Sequence, residues 1–124
     1  MKLIKTFEAA CKAKGLSPEN CIPDVSTYPA EHQKAVVAAA KLFIVVDVLN
    51  DGWKPNWNND DEYKYYLWFD MEKSKSNPSG FRLDYVDFNY TDSHVGSRLC
   101  FKSREVAEHA AKHFISLFKD LMVL

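Results

Sequence analysis

The run AVVAAAKLFIVV, Ala35 to Val46, constrains this chain more than any other feature. Lys41 is its single charge, and it is shorter than the roughly 20 residues that cross a bilayer, so it predicts a buried helix and no membrane span. Pro29 suits the first turn of a helix, where its missing N–H is no loss. Asn50-Asp51-Gly52 supplies the stop, with Gly52 free to take the left-handed conformation. The predicted helix runs from about Ala30 to Asn50. Val36, Val37, Ala40, Phe43, Ile44 and Val48 leave it apolar on most sides, and such a helix is stable only when other elements enclose it. The rest of the fold must be its cover.

Thr6 is a suitable N-cap and Gly15 a suitable C′ residue, so a first helix is expected between them. LSPENCIPDVSTYP holds three prolines, which restricts it to a connector with one short turn at Pro18–Cys21. From Tyr63 the period changes to two. Tyr63, Tyr65, Leu67, Phe69 and Met71 share one face; Lys64, Tyr66, Trp68, Asp70 and Glu72 share the other. Asn77-Pro78-Ser79-Gly80 matches a type I turn and joins this strand to FRLDYVDFNY. There the apolar set moves from Phe81, Leu83 and Tyr85 to Val86, Phe88 and Tyr90, the mark of a β-bulge or a bend. A third strand is expected around Arg98–Lys102. Ser103 then caps a last helix with Val106, Ala110, Phe114, Leu117 and Leu121 as its apolar stripe. The expectation is an α+β fold in the order α-α-β-β-β-α. Its three-stranded antiparallel sheet, hairpin plus third strand, packs on helices in a single domain over residues 1–124.

Charge and cysteines narrow the setting. A formal charge of −1 gives no strong general attraction to nucleic acid or anionic lipid. Cys11, Cys21 and Cys100 are odd in number and lack a CxxC pair, which argues against a disulfide framework or zinc site and for reduced thiols. MKLIKTFEAACKAKG interrupts its apolar residues with charges and predicts no signal peptide.

The stretch Asp51–Phe69 concentrates Trp53, Trp57, Trp68, Tyr63, Tyr65, Tyr66 and Phe69. Single-stranded nucleic acids stack on such rings in a positive groove. Here Asp60, Asp61 and Glu62 outnumber the two lysines between Trp53 and Phe69, so nucleic acid is disfavoured. The inward tyrosine face is expected to cover the long helix as core. Tyr66 and Trp68 on the outward face, with Trp53 and Trp57 in the preceding loop, are candidate contacts for a protein partner or for self-association.

NWNNDDE lacks the spacing and mid-loop glycine of an EF-hand and reads as a polar turn. Glu105, His109 and His113 recur at four-residue spacing without the HExxH arrangement, and read as half-exposed helix side chains. No nucleophile elbow, phosphate loop or dinucleotide fingerprint is present, so no catalytic residue, cofactor or metal is assigned and a non-enzymatic role is expected. Basic residues gather toward the two ends: Lys2, Lys5, Lys12 and Lys14, then Arg98, Lys102, Arg104, Lys112 and Lys119. Brought together they would make a mildly basic face, the basis of an alternative reading as a nucleic-acid-binding accessory protein. Solvated helix surfaces explain them more simply.

Three motifs follow one another at distinctive spacing: Gly52-Trp53-x-Pro55-x-Trp57, Lys64-Tyr65-Tyr66-x-Trp68-Phe69, and Val95-Gly96-Ser97-Arg98-Leu99-Cys100-Phe101-Lys102-Ser103. The pattern resembles a family of small uncharacterised proteins from gut Bacteroidales, their phages and mobile elements, over most of the chain from about Thr6 onward. The resemblance carries over no catalytic or ligand-binding residue. It implies an intracellular phage-related protein, cytoplasmic or virion-associated, that acts through protein contacts in a virion, its assembly or a host interaction.

Overall fold

The structure, a computed structural model, describes residues 3–124. Its elements are α1 (Phe7–Ala13), α2 (Ala30–Leu49), β1 (Lys64–Asp70), β2 (Arg82–Asn89), α3 (Arg104–His113) and α4 (Ile115–Met122), with short 3₁₀ turns at Pro18–Cys21 and Ser97–Leu99. No helix among the described residues is long and apolar enough to cross a membrane.

The first helix is bounded where its capping residues predict. Thr6 Oγ1 accepts from the Ala9 N–H at 3.1 Å. Gly15, at φ 69°, allows its own N–H to reach Lys12 C=O and the Leu16 N–H to reach Cys11 C=O, a Schellman closure. The long helix α2 has 20 residues, about 30 Å at the usual rise. At its end Asp51 enters the left-handed region first, at φ 47°, and Gly52 follows at 82°. Ala38, Leu42, Val45, Val46 and Leu49 are buried at three- and four-residue spacing.

The cover of α2 differs from the one expected. Leu67, Phe69, Phe81 and Val86, on the inner face of the hairpin, pack chiefly on α3, and Phe69 also meets Phe118 of α4 with ring centroids 5.2 Å apart. Ala107, Ala110 and Ala111 keep α3 thin enough for this close approach. Principal enclosure of α2 comes from α4 and α1 instead. Phe43 consequently stays 42% exposed on a helix whose neighbouring Leu42 is fully buried.

The expected three-stranded sheet is not formed: among the described residues the sheet has two strands, β1 and β2. The segment predicted as a third strand, Arg98–Lys102, is interrupted on both sides. Ser97–Leu99 turns as a 3₁₀ helix, and Ser103 Oγ accepts from the Val106 N–H at 3.1 Å to start α3. Between them only Phe101 pairs, as a single antiparallel bridge to Tyr65. Its N–H reaches Tyr65 C=O at 2.8 Å, and its C=O accepts from the Tyr65 N–H at 3.0 Å. On the opposite side of the segment a side chain does the work of a neighbouring strand. The buried Asn50 carboxamide donates to Cys100 C=O at 2.9 Å and accepts from the Lys102 N–H at 3.1 Å. One amide at the end of α2 thus satisfies both backbone groups that a further strand would have taken.

The last helix also differs, dividing at Phe114, where the backbone turns to φ −124°, ψ 24°. Neither proline nor glycine stands there. Phe114 and Phe118 are both buried, so packing holds the bend.

The parity switch in the second strand is a bulge. Trp68 pairs with Tyr85 and Phe69 with Leu83, leaving Asp84 without a partner. Leu83 and Val86 thereby both face the core, and Tyr85 turns outward. The hairpin turn closes as predicted, with the Gly80 N–H 3.0 Å from Asn77 C=O and Gly80 at φ 74°. Asn77 is buried, and its Nδ2 donates to Asp70 C=O and Glu72 C=O, both at 2.9 Å.

Candidate functional site

The four candidate contacts fall in two places. Tyr66 and Trp68 lie on the outer face of the hairpin, opposite Asp87 and Tyr85 of β2. Tyr66 is on that face yet only 7% exposed. The loop after β2 folds back over it, and Ser93 Oγ holds that loop by accepting from the Val95 and Gly96 N–H groups. The His94 ring then sits edge-on to Tyr66 at 4.7 Å. Trp68 remains exposed between two further rings, Tyr85 at 6.1 Å with 18° between planes and His94 at 5.1 Å with 28°. A stack Tyr85–Trp68–His94 thus presents itself to solvent on a buried Tyr66 base.

Two carboxylates belong to this face: Asp70, which pairs with Arg82 at 3.2 Å, and Asp87. Asp87 Oδ1 accepts from the Phe88 N–H at 2.8 Å, and Oδ2 lies 3.4 Å from the Tyr66 hydroxyl, which donates a long bond. Burial, then the Asp87 charge, raises the Tyr66 phenol above its ordinary value, keeping it a donor. Asp87 makes no ion pair among the described residues, and Asp84 and Asp92 nearby in sequence are exposed and likewise unpaired there.

Trp53 and Trp57 belong to the loop between α2 and β1. Trp57 Nε1 donates to Ser97 Oγ at 2.8 Å, and its ring lies 5.4 Å from Lys64 Nζ. That ammonium, on a side chain 1% exposed, donates to Asn59 C=O at 2.9 Å and pairs with Glu62 Oε1 at 3.3 Å. Glu62 also accepts from the Asn56 N–H at 2.7 Å and from Trp53 Nε1 at 3.3 Å. The Asn56 N–H foremost, with Lys64 and Trp53, holds the Glu62 carboxyl below its ordinary value against the opposing effect of burial. The segment NWNNDDE is the polar turn expected. Asn56 and Asn59 each accept, at 3.0 Å, from a backbone N–H two residues on.

Between this loop and α2 opens a cleft of about 430 Å³, within the range of ligand sites. Phe43, Val46, Trp53, Lys54, Ser97 and Arg98 are among the residues that line it. The Arg98 guanidinium lies 5.7 Å from the Phe43 ring centroid. Neither Arg98 nor Lys54 pairs with a carboxylate among the described residues. Ser97 Oγ already accepts from Trp57, which leaves its O–H as a donor.

The remaining polar residues do not converge on a reaction centre. His109 and His113 have ring centroids 4.4 Å apart, with His109 Nε2 2.6 Å from Ile4 C=O. Burial first, then the charges of His109, Lys5 and Lys112, lowers His113 below its ordinary value. Lys5 and Lys112 both act on His113, two members of the basic set considered above; Lys2 lies outside the described residues. No group of three His, Cys, Asp or Glu among the described residues is placed to hold a metal. Burial pushes the Cys100 thiol up to about 11, and burial also raises Cys11.

Tyr85, His94, Phe43 and Arg98 were not legible as site residues. The parity switch before Val86 was the one available signal, since the bulge behind it turns Tyr85 outward. Comparison with protein-family models, with curated proteins and with solved structures found no match.

Proposed function

We propose that this is a non-enzymatic binding module that engages a partner protein through the outer face of its hairpin. The observation that carries the reading is the Tyr85–Trp68–His94 stack, with Trp68 41% and Tyr85 49% exposed, beside the unpaired carboxylate of Asp87. Large rings held rigid by one another lose little side-chain freedom on binding, which is why such residues anchor interfaces. The acidic neighbours Asp84, Asp87 and Asp92 favour a partner segment that lays an arginine or lysine on the rings. They disfavour phosphate. A phage-related, virion-associated or cytoplasmic setting rests on the motif resemblance.

The test uses a displayed peptide library and the variant Trp68→Ser/Tyr85→Ser. Enrichment of arginine- or lysine-bearing peptides is expected, with loss of binding in the double variant and weakening in Asp87→Asn. The double variant should unfold cooperatively near the parent midpoint. Loss of folding in that variant, or enrichment of acidic peptides, overturns the proposal. Salt-sensitive binding of single-stranded DNA that survives the double variant would move the function to the basic residues instead.

A further inference from the structure

We propose that the cleft between α2 and the Trp53–Pro55 segment binds a small organic anion, one with a flat apolar body and a single carboxylate or phosphate group. Three features converge there. The first is shape: the cleft offers about 430 Å³, enough to enclose a small molecule and too little for a folded partner. The second is an aromatic pair. Phe43 is the large apolar side chain of α2 that the fold leaves exposed, and Trp53 lines the same cleft, so a flat body finds two rings there.

The third is charge. Arg98 and Lys54 line the cleft without a carboxylate partner among the described residues, and Ser97 has an O–H to donate. Two carboxylates stand close but are already engaged. Asp47 lines the cleft and pairs with Lys14, while Glu62 accepts from Trp53 Nε1 and pairs with Lys64. Their presence limits the positive field, which suits one anionic group rather than a polyanion.

The walls are fixed before any ligand arrives. Ser97 is tied to Trp57 at 2.8 Å, the Trp53 N–H bonds Asn50 C=O at 2.9 Å, and Asn50 anchors Cys100 and Lys102 just beyond Arg98. An anionic group would take the Arg98 fork and the Ser97 hydroxyl, and the flat body would displace the guanidinium from its seat over Phe43.

The experiment titrates the full chain with benzoate and with a nucleoside monophosphate, using benzamide and the free nucleoside as neutral counterparts. Calorimetry gives the affinity, and the Trp53 indole N–H resonance, assigned with Trp53→Phe, locates the ligand. The expected result is a Trp53 shift with at least one anion at millimolar concentration. Its neutral counterpart should bind roughly tenfold more weakly, with a similar loss in Arg98→Gln from removal of one charge-assisted contact. Lys54→Gln should weaken binding less, and Trp68→Ser should leave it unchanged. The tighter of the two anions assigns carboxylate or phosphate. Absence of a Trp53 shift with both anions, equal binding of the neutral counterparts, or an unchanged affinity in Arg98→Gln overturns the proposal.

Discussion

Replacing Asn50 by alanine tests the idea that a single side chain stands in for a missing strand. The carboxamide donates to Cys100 C=O at 2.9 Å and accepts from the Lys102 N–H at 3.1 Å. Its removal orphans one acceptor and one donor in a region where Cys100 and Phe101 are fully buried. Each orphaned group costs about 1–3 kcal/mol, so Asn50→Ala should destabilise by about 2–6 kcal/mol. Against a total stability of about 5–15 kcal/mol, that is a large fraction. Asn50→Asp separates the two bonds. Its carboxylate still accepts from Lys102 but sets an unpaired buried charge against the Cys100 C=O, so the loss at neutral pH should be at least as large as for alanine and should shrink as acid protonates the group and restores a donor.

Urea unfolding should show a lower midpoint with an unchanged slope. Amide exchange should quicken at Lys102 more than at Phe101, whose N–H keeps its bond to Tyr65. An alanine variant within about 0.5 kcal/mol of the parent, or a Lys102 amide with its protection intact, would refute the reasoning.

Other perturbations address the buried lysine and the thiols. Glu62 is held below its ordinary 4.5, so its contribution to stability is complete above that value and is lost as pH falls through the lowered one. Stability measured from neutral pH downward should decline in that window, and the decline should be shallower in Glu62→Gln. Asp24 and Asp70, also lowered, supply the remainder. Lys64→Met should destabilise by about 1–3 kcal/mol, because it leaves the Asn59 C=O without its donor while Glu62 keeps the Asn56 and Trp53 N–H groups. Glu62→Gln at neutral pH should be the worse of the two, since it leaves the ammonium buried without a counter-charge. A thiol reagent should modify Cys21 in the native protein and all three cysteines in denaturant, because Cys11 and Cys100 are fully buried and Cys21 is half-buried. Native modification of Cys100 would show that its region opens readily.

Local chemistry was legible in the sequence wherever a motif closes on itself. The Thr6 and Ser103 caps, the Gly15 and Gly80 positions, the α2 limits and the bulge near Tyr85 each depend on residues within a few positions of one another. What failed depended on long-range competition. LCFK has the alternation of a strand, but nothing in those residues reveals that Asn50, distant in sequence, takes one side of it, or that adjoining turns cut it short. The helix after Ser103 carries an unbroken apolar period, and its division at Phe114 comes from tertiary packing. The site shows the same contrast. Tyr66 and Trp68 share a face by parity, as expected, yet only the return of the chain at His94 decides that one is covered and the other presented. Phe43 reads as core because its neighbours do.

The bond from Arg104 to the second strand limits how a partner can approach. Since the Tyr65 N–H and C=O both go to Phe101, Tyr65–Phe88 and Leu67–Val86 are the non-hydrogen-bonded pairs of the hairpin, and the Val86 carbonyl points away from β1. Arg104 Nη1 donates to that carbonyl at 3.0 Å while its guanidinium lies 5.6 Å from the Tyr65 ring centroid. A peptide adding itself as a further strand beside β2 would have to evict this cation from both the carbonyl and the ring. The recognition proposed for the hairpin is therefore one of side chains meeting a face, and an extended backbone mimic laid along β2 would be the wrong shape for it.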